Sequence, residues 1–303
     1  MRSSSLIRFI SVTASCVGLA AVSLNGHASL APTAAATAPV LVSVAGDIAC
    51  ATTIASYNNG DGTATQCRQK YTSNLILNSD AVWTLGDHTY PTATLPQLNA
   101  VYEPTWGRMK SVTYPTPGDH DYGSIKAAGY FSYFGNVAPY YSFDLGGWHV
   151  VSLNSEIDHT AGSAQVAWLQ QDLASTSATC IAAFWSAPRW TSGPKAPGDP
   201  TYDPFWQALY AVHADLALGG DTHNYERFAK LAPGGTPAAD GIRQFVVGTG
   251  GRNLVGFPHV QPNSQTRKKS FGVLQLTLTE GSYSWSFVNE ANTSLDSGSE
   301  TCN

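Results

Sequence analysis

An apolar run that stops at Gly-Asp recurs along this chain. Residues Ala81–Leu85 are apolar apart from Thr84 and predict a short buried strand. The run ends at Gly86, and the next residues, Asp87, His88, Thr89 and Tyr90, are polar and able to bind metal. The same order returns in residues 42–47, 112–119 and 216–221. Each time a carboxylate follows the apolar run, so four strand ends deliver Asp47, Asp87, Asp119 and Asp221.

The remaining pattern alternates strands with helices. Residues 41–45, 112–116, 181–185 and 216–218 read as buried strands, and residues 140–144 and 148–154 as a pair about Gly146-Gly147. Helical spacing is expected over residues 66–78, 95–109 (after Pro96), 163–173 and 203–212, the last begun by Asp203 as cap and Pro204. Residues 242–247, 272–278 and 282–288 are late strands. The alternation implies an α/β core, and the late strands imply a mixed or second sheet. Open α/β sheets bind ligands beyond the carboxyl ends of their strands, where this chain places Asp47, Asp87, Asp119, Ser186, Asp221 and His223.

Composition narrows the class. Charged residues are 12% of the 303, about half the usual share. Net charge is −5 and the longest basic run is Arg267-Lys268-Lys269, so a nucleic-acid partner is not expected. Residues 1–31 read as a secretory signal, with Arg2 and Arg8 before an apolar stretch and small residues at 26–28 and 29–31 as two candidate cleavage sites. Residues 32–39 read as a linker and 40–303 as the catalytic domain, exported to a periplasmic or extracellular space. No later segment is long and apolar enough for a membrane span. Beyond Cys16 in the signal, Cys50, Cys67, Cys180 and Cys302 allow three disulfide pairings. Cys50–Cys67, closing a Gly/Asn-rich loop, and Cys180–Cys302, tying the C-terminus to a core strand, are favoured.

Five blocks carry a resemblance. Gly46-Asp47, Gly86-Asp87-His88-Thr89-Tyr90, Gly118-Asp119-His120-Asp121, Phe184-Trp185-Ser186-Ala187-Pro188-Arg189 and Gly220-Asp221-Thr222-His223 come in the order of those in calcineurin-like metallophosphoesterases. The chain resembles the branch similar to purple acid phosphatases over roughly residues 40–302. That resemblance implies a four-layer α/β/β/α sandwich of two mixed sheets flanked by helices. It implies hydrolysis of small-molecule phosphate esters by a metal-activated hydroxide between two cations, about 3.5–4 Å apart in such enzymes.

The two implied metal positions differ in this chain. Asp47, Asp87, Tyr90 and His223 match the first, which in the family holds ferric iron. Asp87 would bridge to the second. There the family has Asn, His and His, and this chain has Asp119, Ser186 and Asp221. Asp119 and Asp221 are either altered ligands, favouring Mn, Mg or Ca over Zn, or remnants of a lost site. With both cations the site would be near neutral; with the first alone it would be net negative and would repel a phosphate dianion. His120 matches the family's leaving-group acid, with Asp121 to orient it. His88 and Arg189 are candidate substrate contacts, as is Arg252. His149, His159, His213 and His259 match no block. An impaired relative, with one metal or none and a ligand- or partner-binding role, is the alternative reading.

Overall fold

The computed structural model describes residues 38–303. The expected signal, Cys16 and residues 32–37 of the expected linker lie outside the described residues. Six strands form one sheet, in the order Ser294–Thr301, Ser282–Asn289, Gly272–Thr279, Val40–Ala45, Ala81–Leu85 and Thr113–Thr116. The last three are parallel, and Val40–Ala45 pairs antiparallel with Gly272–Thr279. Seven strands form the other sheet: Ser264–Lys268, Tyr225–Leu231, Ile242–Val247, Leu216–Gly219, Cys180–Phe184, Trp148–Ser152 and Tyr141–Leu145. Its four central neighbours, from Ile242–Val247 to Trp148–Ser152, are parallel.

The fold class is therefore as the sequence implies: two mixed sheets with helices outside them. Strands buried on both faces carry continuous apolar runs, which is why Ala81–Leu85 and Cys180–Phe184 lack alternation. Between the sheets Trp83 stacks on Phe184 with ring centroids 5.4 Å apart, and Val44, Leu85, Leu218, Val247 and Leu274 belong to the same core. The outer face of the seven-stranded sheet presents Val151, Ile181 and Ala217 to Leu169, Leu173, Trp206 and Leu209 of the helices Ala164–Ser175 and Asp203–Tyr210. Ser163 caps the first of these by accepting from the Val166 amide. No helix among the described residues is long and apolar enough to cross a membrane.

The helices expected over residues 66–78 and 95–109 are only short turns. Gln69–Thr72 is one turn because Cys67 is left-handed and held in a disulfide to Cys50, while the hydroxyls of Thr72 and Ser73 take up backbone carbonyls. Leu95–Gln97 starts with a Thr94–Gln97 capping box, then widens into a π turn, Leu98–Tyr102. Both favoured disulfides are present, Cys50–Cys67 and Cys180–Cys302. The second ties the C-terminus to a central strand.

Candidate active site

The carboxyl ends of both parallel strand sets meet at one place. The Gly46 amide donates to the Val247 carbonyl at 2.9 Å, and the Gly220 amide to Ser186 at 2.6 Å. Ile48 donates to the Asp87 carbonyl and Arg252 to that of Asp47, each at 2.9 Å. These bonds fix the turns that follow the strands. Asp47, Asp87, Asp221 and His223 all hold left-handed backbone, with φ of 58°, 54°, 59° and 47°. Each such residue costs on the order of 1 kcal/mol, and strain of this kind gathers where side chains must be aimed.

Asp47, Asp87, Tyr90 and His223 converge. The Tyr90 hydroxyl lies 2.7 Å from Asp47 Oδ1, 2.6 Å from Asp87 Oδ2 and 3.0 Å from His223 Nε2. His223 Nε2 is also 2.9 Å from Asp47 Oδ1, and its Nδ1 meets Asn253 Oδ1 at 3.0 Å. One phenol proton cannot serve two carboxylates and an imidazole at once. Asp47 Oδ2 is buried without any partner. It lies in a nook kept open by glycine: a Cβ on Gly248 would stand 2.7 Å from it, and one on Gly220 3.0 Å. Electrostatics give the same picture. Burial raises the Asp87 carboxyl well above the usual range, and the charges of Asp47, Asp119 and Asp121 add to the rise. Burial and then the Asp47 and Asp87 charges push the Tyr90 phenol up as well. Burial lowers His223, but the charge of Asp47, with hydrogen bonds to Asp47 and Asn253, outweighs it and holds the imidazole above its ordinary value. A hard cation would relieve all of these strains together, so these four residues fit one.

The second cluster is different. Asp87, Asp119 and His120 can bring ligand atoms within 4.8 Å of one another, but Asp119 is exposed. Ser186 is buried and offers no imidazole. Asp221 is not free: Lys195 Nζ donates to its two oxygens at 2.7 and 2.8 Å. Burial raises the Asp221 carboxyl and Lys195 pulls it back. Partial burial lowers the Lys195 ammonium, while Asp221, Asp119 and Asp47 raise it to a net upward shift. The residues here do not fit the nitrogen-rich second position that the resemblance implies. A cleft of about 330 Å³ opens beside them, lined in part by Asp119, Glu156, Lys195, Tyr202 and Asp221.

Three expected site residues sit elsewhere in the chemistry. His88, expected at the substrate, is wholly buried. Its Nδ1 meets Asp121 Oδ2 at 2.9 Å, its Nε2 meets Thr84 Oγ1 at 2.8 Å, and the rings of Tyr102, Tyr130 and Phe134 enclose it. It faces inward because the left-handed turn at Asp87 sends the next side chain under the sheet. Asp121 does not orient His120; it accepts from the amides of Asp87, His88 and Gly118, clamping two strand ends together. Arg189, the other expected substrate contact, is buried, paired with Asp203 at 2.5 Å and stacked on Trp190. His120 is half-buried at the site edge. Its Nδ1 donates to the Pro91 carbonyl at 2.7 Å and its amide to Asp87 Oδ1 at 3.1 Å, and its ring lies 4.0 Å from that of Tyr90.

Sequence reasoning missed Lys195, Glu156 and Asn253. The first two are far from any Gly-Asp block, and only the fold brings them near. Asn253 closely follows the strand Ile242–Val247, so its place at a strand end was the available signal. Arg252 lies 5.2 Å over the Tyr90 ring and makes no carboxylate ion pair among the described residues.

Known proteins resemble the chain in sequence and in fold. Purple acid phosphatase 22 of Arabidopsis thaliana is 28% identical over 167 residues, and purple acid phosphatase 21 of the same plant 30% over 171 residues. Each match takes in 52% of this chain and 38% of the relative, so the chain spans well under half the length of those relatives. A purple acid phosphatase structure from yellow lupin seeds superposes with TM-score 0.72 at 19% identity, covering 88% of this chain and 54% of that one. The fold is that of a calcineurin-like metallophosphoesterase. In sequence the chain resembles the purple acid phosphatases of that superfamily. GAP50, the anchor in the inner membrane complex of Plasmodium, shares the fold with TM-score 0.67 at 15% identity, covering 88% of this chain and 89% of that one. No family model matches the chain.

Proposed function

We propose that this protein is an exported phosphoesterase that hydrolyses phosphate esters with a hard cation held by Asp47, Asp87, Tyr90 and His223. The observation that carries the reading is the unsatisfied pocket: a buried, unpartnered Asp47 Oδ2 beside one phenol shared among three groups. Ferric iron suits this donor set, since it pairs carboxylates and imidazole with a phenolate. Such a cation supplies positive charge to a phosphoryl group and lowers the pKa of water.

The chain's own residues divide the other tasks. His120 gives its Nδ1 proton to the Pro91 carbonyl, so Nε2 is the nitrogen left to pass a proton to the departing alkoxide. Asp121 holds the Asp87 and Gly118 turns in register, which sets the distance between the pocket and His120. The guanidinium of Arg252, 5.2 Å over the Tyr90 ring, is the group that would meet a phosphate oxygen. Export accords with the two disulfides.

The test is hydrolysis of an aryl phosphate by protein stripped of metal and then reloaded. Turnover that disappears with stripping, returns with iron and is absent in Asp87→Asn supports the reading. Loaded protein without turnover would sink it and leave the binding role, which the occupied Asp221 and the missing imidazole at Ser186 favour.

A further inference from the structure

Asp221, one of the residues at the second position that the resemblance implies, is paired with a cation of the chain itself. Lys195 lies on the loop between Arg189 and Pro200, and that loop is firmly built. Its residue Ser192 gives its amide to the buried Glu226 at 2.7 Å and its hydroxyl to the same carboxylate. Trp190 and Gln244 exchange two hydrogen bonds, and Thr191 donates to the Pro197 carbonyl at 3.1 Å. Ala196 donates back to Gly193, and Gly198 to Lys195. From this platform the Lys195 stem runs across the cleft and its ammonium meets both oxygens of Asp221. The Asp221 side chain is 8% exposed and that of Lys195 is 62% exposed, so the lysine covers the carboxylate from outside.

Resting on the metal-pocket reading above, we propose that the Lys195 ammonium stands in for the second metal ion, so that the protein binds a single ion per chain. Three observations combine here. Asp221 replaces an imidazole with a charge, and a charge so deeply buried requires a partner. Ser186 withdraws a second ligand, so neither imidazole of the family's set remains there. Lys195 then satisfies Asp221 directly, and a divalent ion entering the position would have to displace an ammonium making two charge-assisted hydrogen bonds. The substitution pairs a lost ligand set with a gained counter-charge, which distinguishes it from simple decay of a site. A decayed site would leave Asp221 without a counter-ion, and this one does not.

The experiment is equilibrium dialysis of metal-stripped protein against Mn²⁺, with metal counted per folded chain by elemental analysis. Wild type is expected to hold one ion, and Lys195→Met two, because Asp87, Asp119 and Asp221 are then free to share the second. Lys195→Arg, which keeps the charge, is expected to stay at one. The Lys195 side chain is largely exposed, so the methionine variant is expected to fold, and circular dichroism with a melting curve confirms it. Two ions in wild type, or still one in Lys195→Met, would overturn this inference and leave the phosphoesterase reading standing. No bound ion in wild type would instead fail the metal pocket itself, and with it the inference. The count is independent of turnover, so an inactive protein with the expected stoichiometries would fail the activity alone.

Discussion

Two acidic regions sit side by side at the strand ends, and they dispose of their charge in opposite ways. Around Tyr90, two buried carboxylates and an imidazole face one another, and no lysine or arginine among the described residues pairs with those carboxylates. Around Asp221, a lysine from a neighbouring loop closes the account. Buried charge that a protein leaves unpaired is costly, so a fold that retains it is built for something that arrives from outside. Buried charge that is paired internally needs no visitor. The contrast separates a ligand-ready pocket from a self-satisfied one without reference to any relative. Asp215, remote from both, shows a third solution. Two backbone amides, those of Ile181 and Asn303, serve it, yet burial still lifts its carboxyl to about 6.

The comparison breaks most sharply at Asp47. Asp47→Asn removes a charge from the unpaired region; it is expected to abolish metal retention and to lower turnover by about a thousandfold or more. Retained metal and activity would show that the pocket does not work through this carboxylate. Behind the same region stands His88. His88→Ala empties an aromatic enclosure and removes the ring's bonds to Asp121 and Thr84, so chemical denaturation is expected to show a loss of about 3 kcal/mol. A loss confined to substrate affinity, with stability intact, would restore the substrate role that burial argues against.

His120 tests the edge between the two regions. His120→Asn is expected to slow hydrolysis of an alkyl phosphate about a hundredfold, and that of an aryl phosphate with a good leaving group much less. Equal effects on both would deny it the acid's role. Asp215 sharpens the comparison through pH. Its folded pKa lies above the unfolded one, so its contribution is fully present below about pH 4 and is lost as pH rises through about 6. Unfolding curves of wild type against Asp215→Asn are therefore expected to diverge by ~2–3 kcal/mol in the variant's favour between pH 4 and 7.5. The smallest effect belongs to the paired region. Asp221→Asn is expected to change stability by about 1 kcal/mol or less, since its partner is largely exposed.

Much of this is legible in the sequence. The strands that deliver Asp47, Asp87 and Asp221 are buried on both faces, and continuous apolar runs announce such strands. Of the strands that escaped notice, Ser264–Lys268 and Ser294–Thr301 are polar sheet edges with few strongly patterned positions, and the apolar positions of Tyr225–Leu231 are broken up by Glu226, Arg227 and Lys230. The Gly-Asp blocks pointed to the Tyr90 pocket because each member sits two to five residues beyond a buried strand. Lys195 was illegible for the opposite reason. It lies mid-loop, and its meeting with Asp221 depends on Glu226, Gln244 and backbone bonds within the loop itself. His88 misled because it neighbours Asp87 in sequence, whereas in the fold its side chain is buried against Asp121 and Thr84, just after the left-handed φ of 54° at Asp87.

The most direct test of the central claim is the visible spectrum of iron-loaded protein. A ferric ion among Asp47, Asp87, Tyr90 and His223 is expected to give a phenolate charge-transfer band in wild type. The band should vanish in Tyr90→Phe while iron content stays close to one per chain. An iron-loaded wild type without the band, or a band that survives in Tyr90→Phe, would contradict the account.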